Sequence, residues 1–173
     1  MRAFTRFVQE KFGQQKIMGI EIGVQRGDNA LSIYKSLRFK QLFLVDIWES
    51  YQIADKYKEG EFKIANFGNF YPIVINRFGK KTDVTILKET SIEASKRFPK
   101  RFFDFIYIDA CHSYEALRKD IENWFPKIKI GGVFGGHDYR RKEYPGVKRV
   151  VNEFIEGGQY KLYQEDSDWW IKR

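Results

Sequence analysis

The sequence predicts an α/β protein with a mostly parallel seven-stranded sheet, helices on both faces and a C-terminal antiparallel hairpin. Two observations predict it. Short apolar β runs alternate with stretches of helical apolar spacing, and parallel neighbours require such helical crossovers. The order then changes, because the last two β runs are separated only by the polar turn EDSD.

A basic amphipathic helix is expected over 1–16. KIMGIEIG (16–23), dense in Ile and ending on glycine, is a strand, and GDNALSIYKSLRF (27–39) has the apolar spacing of a helix. QLFLVDIW (41–48) is the second strand. The stretch 61–79 contains a helix bent or started near Pro72, and TDVTILK (82–88) is a strand. SIEASKRF forms a short helix, RFFDFIYID (101–109) a strand, and 113–128 a helix that stops near Pro126. IGGVFGGHD (130–138) is the fifth strand, and the helix PGVKRVVNEFIEGG leads to the hairpin of QYKLYQ and DWWIKR. No repeat, low-complexity tract or linker divides the chain, so one domain over 1–173 is expected.

Composition bounds the function. An apolar share of 43% with 31% charged residues is that of a globular protein, and 17% aromatic residues is high for one. The net charge of +8 favours anionic partners, such as a phosphorylated or nucleotide-linked substrate, but the basic residues form no single dense block, so nucleic acid is not the first choice. The lone Cys111 excludes an intrachain disulfide and suits a reducing cytosol. No run of 18 apolar residues and no leader-like start is present, so an unprocessed cytoplasmic protein without a membrane span is expected.

In an open parallel sheet, ligands bind beyond the carboxyl ends of the strands. The first such turn, EIGVQRG, places Glu21, Gly23 and Gly27 in the spacing E-x-G-x-x-x-G and lacks the G-x-G-x-x-G of dinucleotide sites, so a cofactor without a pyrophosphate is favoured. This turn resembles the first motif of class I S-adenosylmethionine (SAM) methyltransferases. The second strand ends on Asp46, 23 residues after Gly23, where an acid can accept both ribose hydroxyls, with Ile47 and Trp48 beside it and the Trp48 ring as an adenine wall. After the third strand, Glu89, Thr90 and Ser91 either reach the adenine and ribose or, for Thr90 or Ser91, cap the following helix.

The fourth strand ends on Asp109, followed by Cys111, His112, Ser113 and Tyr114, and the fifth ends in GGHDY with His137 and Asp138. The run from 104 to 139 resembles small SAM methyltransferases with the pattern I-D-G-x-H-S-Y-E, then D-x-x-x-W, then G-G-x-x-x-x-H-D-Y, many associated with sugar modification. The correspondence extends from residue 17 to about 155. Relatives that methylate sugars of macrolide and aminocoumarin antibiotics hold Mg²⁺ with an acid at the fourth strand end and a pair of acids after the fifth. The resemblance implies that Asp109 and Asp138 occupy metal positions, that His112 is the base, and that His137 stands where a second acid would, although a hard cation prefers oxygen.

The activity implied is methyl transfer from SAM to a hydroxyl of a sugar or glycan, assisted by Mg²⁺, with Asp109, His112, His137 and Asp138 as the catalytic set. Other readings stay open. Asp109 could contact the SAM amino group instead of a metal, the His112 ring could pack on Tyr114, and His137 could be a satisfied strand-end residue. Tyr114, Glu115 and Asp120 are expected as helix surface or caps. The acceptor is expected at 48–71, where Tyr51, Tyr57, Phe67 and Phe70 could stack on it, and at 139–146, where Arg140, Arg141 and Lys142 could meet phosphates; a homo-oligomer interface could use the same aromatics. An RNA, amine or phenol methyltransferase and a non-catalytic SAM-binding protein are the competing functions.

Overall fold

The structure, a computed structural model, describes residues 1–54 and 62–173, and over 50–54 and 62–66 only the strand pairing. Helix α1 (Ala3–Phe12) leads into β1 (Lys16–Ile22), α2 (Asp28–Ser36) and β2 (Arg38–Asp46). Next come β3 (Ser50–Ala54), β4 (Phe62–Asn66), α3 (Tyr71–Phe78), β5 (Val84–Lys88), α4 (Ser91–Lys96), β6 (Phe103–Ile108) and α5 (Tyr114–Trp124). The chain ends with β7 (Ile128–Gly136), α6 (Pro145–Gly158), β8 (Tyr163–Glu165) and β9 (Asp168–Lys172).

The expected sheet is present. Seven strands run in the order β5-β2-β1-β6-β7-β9-β8, with β5, β2, β1, β6 and β7 parallel and β9 antiparallel to both of its neighbours. The chain winds outward from β1 to β2 and β5, then returns to the other side of β1 as β6 and β7. The switch point, where loops diverge and leave a crevice, therefore lies between β1 and β6.

Alternating side chains divide the core into two layers. Ile106 and Ile108 of β6 pack with Leu117, Ile121, Trp124 and Val151 under α5 and α6. Phe105 and Tyr107 of the same strand pack with Phe4, Val8, Ile33 and Phe78 under α1, α2 and α3. Glycine permits one close approach within this packing, since a Cβ at Gly19 would lie 2.2 Å from the Phe105 ring.

Several element bounds differ from the sequence expectation, with β8 starting at Tyr163 rather than Gln159 and β7 at Ile128 rather than Ile130. The stretch 62–66 is a strand, paired antiparallel with β3 in a separate two-stranded sheet, and the helix begins only at Tyr71 with Pro72 in its first turn, where the missing N–H has no partner to lose. The second strand starts at Arg38, before the apolar run does. Helix α5 ends at Trp124 and continues as a single 3₁₀ turn, Phe125–Lys127, around Pro126.

Candidate active site

Four backbone hydrogen bonds carry the parallel pattern one residue past the strands and align their ends. Gly23 N–H donates to Val45 O at 2.9 Å, Asp109 N–H to Ile22 O at 2.8 Å, His137 N–H to Ile108 O at 3.1 Å and Glu89 N–H to Asp46 O at 3.1 Å. Gly23 has φ 86 and its Cα rests against the Asp109 backbone, where an added Cβ would lie 2.1 Å from Asp109 O. Only glycine serves both the dihedral and the contact. Gly27, also at positive φ, starts α2.

Asp46 organises this turn from below. One carboxylate oxygen accepts from Gln25 N–H at 2.8 Å and the other from Trp48 N–H at 3.0 Å, and each keeps capacity for one further bond. The Trp48 indole is buried, 1% exposed, and donates to Gln25 O at 2.8 Å. The expected adenine wall at Trp48 is thus a core residue that pins the first turn, with Ile47 half-buried beside it.

Glu21 lies buried beneath the turn. Its Oε1 accepts from Asn29 Nδ2 at 2.8 Å, while Oε2 has no partner among the described residues. Burial pushes its pKa up to about 8. An orphaned buried oxygen at a strand end is what a polar ligand group would satisfy, and SAM fits that demand.

The ends of β6 and β7 bring the predicted catalytic set together. Single ligand atoms of Asp109, His137 and Asp138 all lie within 4.8 Å of one another. His137 Nδ1 is 2.9 Å from Asp138 Oδ1 and 3.9 Å from Asp109 Oδ1. His112 Nε2 makes ionic contacts with Asp138 Oδ2 at 2.7 Å and Asp109 Oδ1 at 3.7 Å. Its ring stacks on Tyr144, centroids 4.2 Å apart, rather than on Tyr114.

Charge is balanced inside this cluster. Burial disfavours the Asp138 carboxylate, but His112 and His137 outweigh it and hold the acid well below the usual carboxylate range. The Asp109 carboxyl is likewise lowered, against burial, by His112 and Arg2. Burial opposes the His112 charge, yet Asp109 and Asp138 together raise its pKa to about 9. Two carboxylates and the His137 imidazole fit a divalent cation, and the nitrogen of His137 suits Mn²⁺ better than Mg²⁺, which prefers oxygen throughout.

Sequence reasoning missed the residues around this cluster. Arg2, the N-cap residue of α1, donates to Asp109 Oδ2 at 2.7 Å and to the Tyr107 hydroxyl. Tyr107 in turn donates to Asp168 Oδ1 at 2.7 Å, and Asp168 Oδ2 accepts Phe4 N–H at 2.9 Å, fastening the start of α1 to β9. A cleft of about 490 Å³ opens beside this chain of bonds and meets the site at Arg2, Asn29 and His137. No spacing rule reaches these partners, which are joined across 105 and 61 residues of sequence.

Other expected binders are occupied by local structure. Thr90 caps α4 in a capping box with Glu93, and Ser91 accepts from Trp124 Nε1 and donates to the buried Asp120. Asp120, expected on the helix surface, is thus the joint between α4 and α5. Glu89 is paired with Arg97. In the 139–146 loop Arg141 Nε lies 3.3 Å from Asp138, Arg140 bonds Gln164, and Lys142 is exposed. Phe70 sits beside Arg26; the Tyr51 side chain and Tyr57 lie outside the described residues.

A family of methyltransferase domains matches residues 20–139, and the chain belongs to it. Its fold is the Rossmann-like one of class I SAM methyltransferases. An uncharacterized protein of Sinorhizobium fredii, y4gI, is 26% identical over 104 residues, which is 60% of this chain and 11% of that much longer protein. The calicheamicin methyltransferase CalS11 has the same fold, with a TM-score of 0.67 and 14% identity over 97% of this chain and 76% of its own. The methyltransferase MycE of the mycinamycin pathway, solved with Mg, SAH and mycinamycin VI, gives a TM-score of 0.61 and 14% identity over 98% of this chain and 48% of its own. Among the described residues no helix is long and apolar enough to cross a membrane.

Proposed function

We propose that the chain is a SAM-dependent O-methyltransferase acting on a hydroxyl of a sugar or glycan, with a divalent cation at Asp109, His137 and Asp138. The observation that carries this reading is the convergence of those three residues and His112 at two strand ends beside the Gly23 turn. The similarity to MycE, solved with Mg and SAH, supports it.

When bound, SAM supplies an electrophilic methyl on a sulfonium, and a divalent cation lowers the pKa of a hydroxyl while neutralising the carboxylates around it. The protein does the rest by placement. Asp46 offers its remaining lone pairs to the ribose hydroxyls, and Glu21 offers the unpartnered Oε2 of a carboxyl whose neutral form, able to donate as well as accept, is favoured by burial. Asp109 and Asp138 orient the acceptor. His112, held flat against Tyr144, is charged while both carboxylates face it; with Asp109 and Asp138 engaged by a cation their pull weakens, so that the ring can lose its own proton to solvent and then take the hydroxyl proton at Nε2.

Transfer of labelled methyl from SAM to sugars, nucleotide sugars, phenols and RNA tests the reading. Turnover of sugars that stops on chelation and returns with Mn²⁺ or Mg²⁺ supports it, whereas turnover only of phenols or RNA refutes the acceptor class. A second reading, catalysis without metal, is favoured by the Arg2 to Asp109 ion pair, which already neutralises one acid. Turnover indifferent to chelation would select it.

A further inference from the structure

The parallel strands begin at the sheet edge opposite the active site, and a second cleft opens there. Its volume is about 790 Å³, and it is lined by Lys16 at the start of β1, Lys40 in β2, and Lys80 and Lys81 ahead of β5, together with Tyr34, Phe39 and Asp83. Four lysines and one aspartate thus line the same cleft. That aspartate, Asp83, is engaged by the Tyr34 hydroxyl at 3.0 Å.

Elsewhere along this edge the cations have partners. Lys129 pairs with Asp104 at 2.8 Å, and Lys127 donates to Phe98 O at 2.8 Å. Among the described residues none of the four cleft lysines is in a salt bridge, and Lys16, Lys40 and Lys80 are exposed. Four cations and one anion thus face a single depression of the surface. Concavity matters because low-dielectric walls focus the field of grouped charges on whatever enters.

The aromatic floor limits what can enter. Tyr34 is already covered, by Phe39 stacked at 6.0 Å and 6° and by Lys81 Nζ at 4.4 Å from its ring centroid. Each lining ring already has an aromatic or ammonium neighbour that a base would have to displace. The cleft also has the volume of a small-ligand pocket rather than of a long groove.

We propose that this cleft is a second binding site, for a compact anion carrying adjacent phosphate groups. Lysine ammonium groups bind phosphate as point charges and need no fixed donor geometry, which suits a mobile oligophosphate more than a planar carboxylate pair. The site is independent of methyl transfer, since it lies at the opposite ends of the same strands.

Calorimetric titration of the full chain with tripolyphosphate, ATP and a single-stranded RNA tests it. The wild type is compared with the double variants Lys80→Glu with Lys81→Glu and Lys16→Glu with Lys40→Glu, circular dichroism and SAM binding serving as controls for folding. One tripolyphosphate site is expected, weakened about tenfold or more in each double variant and by rising salt. ATP is expected to bind within about threefold of tripolyphosphate, because the base would have to displace a ring's neighbour in order to stack. Tripolyphosphate binding that neither variant weakens, or its absence, overturns the proposal. So does ATP or RNA binding more than about tenfold tighter than tripolyphosphate, which would make the cleft a nucleoside or strand site.

Discussion

Arg2 and Asp109 are joined by a 2.7 Å ion pair that spans most of the chain and puts a fixed cation against the acid at the end of β6. Arg2 and a divalent cation compete for the same carboxylate. Arg2→Ala is expected to raise Mn²⁺ affinity by about tenfold, measured by calorimetry or by paramagnetic relaxation. The same change removes a hydrogen bond from Tyr107 and lowers stability by about 1 kcal/mol, discounted because the guanidinium is partly exposed. Unaltered Mn²⁺ affinity would show that the two cations do not share Asp109.

Glu21 makes stability depend on pH. Its pKa rises from 4.5 unfolded to about 8 folded, so the fold favours the neutral acid. The contribution is complete below the unfolded value and disappears as pH rises through the folded one. Urea midpoints of the wild type should therefore fall between about pH 4.5 and 8, and Glu21→Gln should remove that part of the fall. Parallel curves for the two proteins would contradict the burial of a protonated acid.

Gly23 and Gly131 separate strain from contact. Both have positive φ, but a Cβ at Gly131 meets nothing within 4 Å, whereas one at Gly23 strikes the Asp109 backbone. Gly131→Ala should cost about 1 kcal/mol and leave SAM binding intact. Gly23→Ala should cost several-fold more and abolish SAM binding, as read by thermal shift and calorimetry.

On the proposed function His112 moves a proton rather than holding SAM. His112→Gln, which keeps a polar side chain beside Asp138, should reduce kcat by roughly 100-fold or more with SAM affinity within about threefold of the wild type. A loss of SAM affinity equal to the loss of turnover would give the residue to binding instead.

The parts legible in the sequence were those carried by short-range pattern. Apolar β runs ending on Asp46, Asp109 and His137 gave the parallel strands, and their ends converge because hydrogen bonding continues past each one. The pairing of β3 with β4 was not legible, since the strongest signal in 61–79 is the helix around Pro72, which drew 62–66 into its reading. Trp48, Thr90 and Ser91 stood at the right strand ends, but local hydrogen bonds turned their side chains to the core and the caps. Arg2, Asn29 and Asp168 carry no motif; only the tertiary fold brings them to Asp109, Glu21 and Tyr107.

The backbone joint between Gly23 and Asp109 separates what can drift from what cannot. Because the Gly23 turn and Asp109 touch through main-chain atoms, the gap between donor and acceptor in the proposed reaction is set by the sheet and not by any surface segment. Surface residues away from that joint, such as the exposed Lys142 and Glu143, can then change with the acceptor without retuning that gap.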